Sequence, residues 1–237
     1  FIDLPEWLTP LGISFFTFQA ISYVIDIYRL PNLLQKSFLK LSFYITFFPQ
    51  LIAGPIVRYK EFKPYLNSSH MSLIQVGIGS RRFLIGLAKK ILIADGLRSF
   101  TDAVFQQSES GLSGTIAWLA VLTYALQIYF DFAGYSDMAI GMGRMFGIRI
   151  PENFNFPYIA QSVGEFWKRW HITLSNWFKD YVYFPMGGSY RGVVRTIINV
   201  LLLYLLVGFW HGASLNWIVW GGIYGLFIIL ERTLLKS

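Results

Sequence analysis

Residues 196 to 230 read TIINVLLLYLLVGFWHGASLNWIVWGGIYGLFIIL. Two apolar runs, Thr196 to Trp210 and Leu215 to Leu230, are split by a short break that carries a histidine. Each approaches the roughly 20 apolar residues needed to cross about 30 Å of hydrocarbon. A third clean run, TIAWLAVLTYALQIYF, ends at Phe130. Further candidate spans run from Pro10 to Tyr28 and from Phe38 to Ala53, the second with Pro49 inside it. The stretch Leu73 to Ala94 holds Arg81, Arg82, Lys89 and Lys90, so it is expected at the membrane interface or packed inside the protein. The pattern predicts an all-α integral membrane protein, a multi-span helical bundle with interfacial helices.

Composition points the same way. Of the 237 residues 54% are hydrophobic and only 14% charged, where soluble domains carry about 25% charged residues. A large soluble core would need the charged shell that is missing here. There is no cysteine, which excludes a disulfide framework and thiolate metal sites, and no long charge run, which argues against a nucleic-acid arm. The net charge of +7 fits basic loops on the cytoplasmic side of a membrane. Basic residues flank the Phe38 span on both sides, however, so they do not set its orientation. The chain begins at Phe1 without an initiator Met or a signal-peptide pattern and is expected to be a piece of a longer protein. No repeat or linker divides it, so residues 1–237 are expected to form one domain.

The polar groups concentrate between residues 131 and 195. Ser162-Val-Gly-Glu165 has the spacing of a capping box and predicts a helix start. Downstream, Phe166, Trp167, Trp170, His171, Leu174, Trp177 and Phe178 recur at helical steps, which puts His171 on an aromatic face opposite Lys168, Arg169 and Lys179. Such a helix suits the headgroup plane. His171 is either a buried histidine bonded to a backbone carbonyl or a catalytic imidazole, kept neutral by apolar surroundings. His211, in Gly208-Phe-Trp-His-Gly212, sits at the end of an apolar run where an ionisable group is expensive and marks function by default. Gly208 and Gly212 have the spacing that admits close approach to the backbone, which would hold His211 in a tight, dry site.

Other chemistries are poorly supported. The HExxH pattern and the GxSxG elbow are both absent, leaving no metal site and no hydrolase triad, and proton transfer is the economical alternative. His70, in Asn67-Ser-Ser-His70, reads as a loop histidine. Asp131 and Asp137, with Tyr135 and Ser136 between them, follow an apolar run and read either as helix N-caps or as a polar wall to a substrate tunnel. Gly141, Gly143 and Gly147 have the wrong spacing for a dinucleotide fingerprint and suggest close helix packing. Pro151-Glu-Asn-Phe-Asn-Phe-Pro157 should be irregular backbone, buried in protein or lining a cavity. A transporter would want a coupling carboxylate inside a span, and the three clean spans hold none. A non-catalytic scaffold would have no reason to carry histidines in apolar settings.

Across nearly its whole length the chain resembles the membrane-bound O-acyltransferases, and within them the alginate and peptidoglycan O-acetyltransferase branch. The resemblance rests on PLGISFFTFQAISYVIDIYR (10–29), FFPQLIAGPIVRY (47–59), IYFDFAGYSDMAIGMGRMFGI (128–148), ENFNFPYIAQSVGEFWKRWHITLSNWFKDYVYFPMGG (152–188) and GFWHGASLNWIVWGGIYG (208–225). YFPMGG is more similar to the polysaccharide O-acetyltransferases than to the D-alanyl transfer proteins of teichoic acid modification. The resemblance implies membrane helices around a tunnel in the cytoplasmic membrane, with catalytic His211 and His171. Tyr135, Asp137, Asn153, Trp170 and Trp210 would line that tunnel. It implies acetyl-CoA as donor substrate, with no tightly bound cofactor and no metal. The acceptor would be a polysaccharide, or an extracytoplasmic SGNH-type acetyltransferase partner; no nucleic acid is involved.

Overall fold

The computed structural model describes residues 12–67, 71–106 and 112–234; His70 lies outside them. Among the described residues the regular structure is entirely helical, and the chain forms two compact units, Phe1–Glu152 and Asn153–Ser237.

In the first unit, α1 (Ile13–Arg29) covers most of the first expected span, whose Pro10 and Leu11 lie outside the described residues. The second does not form as one span. It breaks into α2 (Phe38–Thr46) and the single turn α3 (Phe48–Leu51), with Phe47 extended between them. Continuing the helix would drive the Pro49 ring into a carbonyl one turn back. The Tyr44 carbonyl left open by the break accepts a hydrogen bond from Gln50 Nε2 at 3.1 Å. Nine residues of α2 rise only about 13.5 Å, well short of the hydrocarbon thickness. After α4 (Tyr59–Phe62), an aromatic core gathers around fully buried Tyr44, Tyr59 and Phe62, and the Tyr44 hydroxyl donates to the Val57 carbonyl at 2.8 Å.

The basic stretch is longer than expected. α5 (Leu73–Ala88) runs through a π-helical turn, Lys89–Ala94, directly into α6 (Asp95–Phe105). It packs along α7 (Gly114–Met145), a helix of 32 residues. Asp131 and Asp137 are therefore interior helix residues rather than N-caps, because α7 does not stop at Phe130. What carries it onward is α5 together with the π-helical turn that follows it. Arg82 Nε donates to Asp137 Oδ1 at 2.7 Å, Lys89 Nζ to Oδ2 at 2.6 Å, and Lys90 pairs with Asp131 at 2.7 Å. The cations that placed residues 73–94 at the interface or inside the protein are thus matched by carboxylates on the next helix. The approach is close: a Cβ on Gly134 would sit 2.7 Å from the Gly86 carbonyl oxygen, and one on Gly141 would sit 2.6 Å from that of Gly79. Gly141 accordingly serves close packing, as its spacing suggested.

In the second unit, α8 (Val163–Arg169), α9 (Ile172–Phe178) and a π-helical turn, Lys179–Tyr183, precede α10 (Val193–His211) and α11 (Leu215–Leu234). α7 and α10 are each long and apolar enough to cross a membrane. On α10 an exposed stripe of Val194, Ile198, Leu202, Leu206 and Phe209 follows helical spacing, the face expected toward lipid. Its opposite face meets α11 with backbone nearly touching backbone, since a Cβ on Gly208 would collide with the Trp217 carbonyl.

The packing makes a sign-reversing expectation for two glycines on neighbouring helices. Gly134→Ala forces α5 and α7 apart and should lower stability by about 1–3 kcal/mol. Gly77→Ala on α5 has nothing within 4 Å of its new methyl and should raise stability by about 0.5–1 kcal/mol through helix propensity. Thermal melts of the two detergent-solubilised variants, followed by loss of the monodisperse species, check both signs.

Candidate active site

The segment between the two prolines is irregular, as expected, and it hooks onto the chain around His171. The Asn153 carbonyl accepts from the Ile172 N–H at 2.9 Å, and the Asn155 N–H donates to the Arg169 carbonyl at 2.9 Å. The Asn153 side chain completes the hook. Its Oδ1 lies 3.2 Å from the Thr173 N–H, 2.9 Å from the Thr173 hydroxyl and 3.2 Å from His171 Nδ1. These contacts replace the helical ladder, so the single amphipathic helix expected from Ser162 onward divides in two. Half of the expected capping box forms: Ser162 Oγ accepts from the Glu165 N–H at 3.0 Å, but the Glu165 carboxylate takes the Gln161 N–H rather than that of Ser162.

At the division His171 adopts a left-handed backbone, φ 42° and ψ 53°. For a residue other than glycine this costs roughly 1–2 kcal/mol, and such strain clusters at functional sites. The ring is buried, 4% exposed. Its partner is a side-chain amide, not the backbone carbonyl that the structural reading expected. The geometry also fixes the tautomer. A backbone N–H only donates, so the Asn153 atom facing Thr173 must be the oxygen, and His171 must offer it Nδ1–H. Nε2 is then the basic nitrogen. Burial pushes the imidazole down from its ordinary 6.5 to about 3, with repulsion from nearby His211 adding to it. His171 is neutral at physiological pH.

His211 closes α10. The small-residue spacing around it is used as expected: Gly208 admits α11, and Gly212 leaves room for the Trp217 ring, whose Nε1 lies 2.8 Å from where a Cβ would stand. Trp217 stacks on the imidazole, centroids 5.2 Å apart and 20° between planes, while Trp220 and Trp210 present edge-on contacts at 5.2 and 4.6 Å. The site is not as closed as the sequence implied, since the His211 residue is exposed at the helix end. Trp220 continues to Trp167 of α8 at 6.0 Å, so indoles connect the element before His171 to the ring beside His211. Trp217 and Trp220 were not singled out by sequence reasoning, although with Tyr224 they share a face at helical spacing, and Trp167 was read only as part of the aromatic face that carries His171. Glu231 was missed as well; its carboxylate accepts the Gly164 N–H at 2.9 Å and ties α11 to the start of α8.

The remaining sequence-predicted residues divide between the units. Asn153, Trp170, His171, Trp210 and His211 belong to the second. Trp170 stacks on Phe166, 5.6 Å and 15°, with Phe154 edge-on at 5.1 Å. Tyr135 and Asp137 belong to the first, where Asp137 serves the ion pairs with α5 and Tyr135 meets the Ala53 backbone.

A profile of the membrane-bound O-acyltransferase family matches residues 31–236. The chain belongs to this family. It is 44% identical over 231 residues to a probable alginate O-acetylase AlgI of Pseudomonas putida, covering 98% of this chain and 47% of the relative. A peptidoglycan O-acetyltransferase of Helicobacter pylori is 40% identical, covering 95% and 48%. A teichoic acid D-alanyltransferase of Bacillus subtilis is 31% identical, covering 89% and 56%. The chain thus spans about half the length of the curated relatives it matches.

His171 should show no titration by imidazole ¹⁵N shifts between about pH 5 and 8. An unfolded chain takes up a proton near 6.5 whereas the buried ring waits until about 3, so stability should fall as pH drops through that window. Asn153→Leu leaves the Thr173 and His171 donors unpaired, at about 1–3 kcal/mol for each buried group, and should lower the melting temperature while the still-buried His171 stays neutral but loses its fixed Nδ1–H tautomer in the ¹⁵N shifts.

Proposed function

We propose that the full-length protein is a multi-pass enzyme of the cytoplasmic membrane that moves an acetyl group from acetyl-CoA to a hydroxyl of a cell-envelope or exported polysaccharide, directly or through an extracytoplasmic SGNH-type acetyltransferase. Both units belong to one acyltransferase domain, with helices arranged around a tunnel. The observation that carries the reading is the pair of imidazoles in the second unit. One is locked neutral with a defined basic nitrogen; the other stands at a helix end among indoles, close enough to influence the first. Support for the acceptor class comes from the relatives named alginate O-acetylase and peptidoglycan O-acetyltransferase, both more similar than the D-alanyltransferase.

In this mechanism His211 takes the proton of the acceptor hydroxyl as its oxygen attacks the thioester carbonyl carbon. The tetrahedral intermediate collapses, the carbon–sulfur bond breaks, and the departing thiolate recovers the proton from His211. His171 positions or polarises the reactants, held in place by Asn153. Trp170 and Trp210 wall the tunnel and keep water from the thioester.

Removal of a general base typically costs 10²–10⁴ in rate. Membranes carrying the full-length protein should pass label from radioactive acetyl-CoA to a glycan or partner protein. His211→Ala should reduce that transfer by about this factor at unchanged protein level; an alanine variant of native activity would remove His211 from the mechanism. His171→Asn, which tolerates the left-handed backbone, should lower turnover with little loss of fold.

A further inference from the structure

α5 and the end of α7 enclose a cleft of about 490 Å³ in which four arginines, Arg81, Arg82, Arg144 and Arg149, face one carboxylate, Glu152. Arg82 is already committed: Nη1 donates to Glu152 Oε1 at 2.9 Å and Nε to Asp137. That pair consumes the only acidic group lining the cleft. Arg144 makes one neutral contact, to Gln75 Oε1 at 2.9 Å. Arg81 and Arg149 are exposed and make no ion pair or hydrogen bond among the described residues. Three guanidinium groups therefore converge on one opening without a counter-charge. The remaining wall is isoleucine, Ile78 and Ile85 from α5 with Ile140 and Ile150 opposite.

We propose that this cleft binds a phosphate ester carried on a long chain. Guanidinium forks match phosphate oxygens two at a time and bind them by charge-assisted hydrogen bonds. The isoleucines would gain nothing from a free inorganic anion, but they shelter a hydrocarbon or extended chain leaving the phosphate. Basic pockets between membrane helices bind anionic head groups on this principle. Position fits as well. Exposed apolar residues of α7 run from Ile116 to Ile128, and Arg144 lies about 24 Å further along the helix, beyond the apolar half of the span. Two sources carry this chemistry, an anionic phospholipid and the nucleotide portion of a coenzyme A thioester. The phospholipid source is independent of acetyl transfer, whereas the coenzyme A source rests on that reading.

The test uses full-length protein, native and Arg81→Gln/Arg149→Gln, which removes no ion pair or hydrogen bond among the described residues and should keep the native melting temperature. A second double variant, Arg191→Gln/Arg195→Gln, makes the same charge change outside the cleft. Retention of phosphatidylglycerol against phosphatidylcholine is read by native mass spectrometry, and coenzyme A by equilibrium titration. The cleft variant should bind one or both phosphate probes about tenfold or more weakly, the loss shrinking at high salt. The probe that weakens identifies the source. The proposal is overturned if native protein binds neither probe, if the cleft variant binds both as native does, or if the control variant loses as much.

Discussion

Backbone that leaves the helix near a membrane must find hydrogen bonds within the protein, and at the break before α9 one residue supplies them. Asn153 holds Ile172 with its main-chain carbonyl and Thr173 and His171 with its side-chain oxygen. From that anchorage follow the division between α8 and α9, the left-handed turn and the tautomer of the ring. Burial alone would keep His171 uncharged, but it would not decide which nitrogen carries the proton. An oxygen that already serves two donors on Thr173 decides it.

The first unit solves a different problem. Helices bearing Arg82, Lys89 and Lys90 are poor membrane segments unless their charge is matched, and α7 supplies Asp131 and Asp137 at the required positions. The match works only because small residues let the helix axes come close, so glycine packing and ion pairing are one device. A buried carboxylate stripped of its cations would cost about 3–5 kcal/mol, which binds the two features together energetically.

Much of this was legible. α10, α11, the capping serine, the glycine contacts and the irregular proline segment all follow from local rules, and both histidines stand out because apolar surroundings make them expensive. What the sequence hid was nonlocal. Nothing within residues 163–178 marks His171 as a break, because the bonds that create it come from Asn153 and Asn155. α7 reads as ending at Phe130 because its next carboxylates look like caps until the cations of α5 are seen opposite them. The Phe38 span reads as continuous on hydropathy alone, although Pro49 held the information that divides it. The indoles of α11 share a face at readable spacing, yet only the fold shows that the face points at His211.

The hook at Asn153 has a consequence for the order of assembly. Its partners lie only eighteen to twenty residues downstream, a short loop whose closure costs little entropy. During synthesis this turn is complete in sequence once Thr173 has emerged, well before α10 and α11 are made. The turn that carries His171 therefore needs no residue of the later helical hairpin for its own hydrogen bonds, and His211 and its indoles come from chain made afterwards.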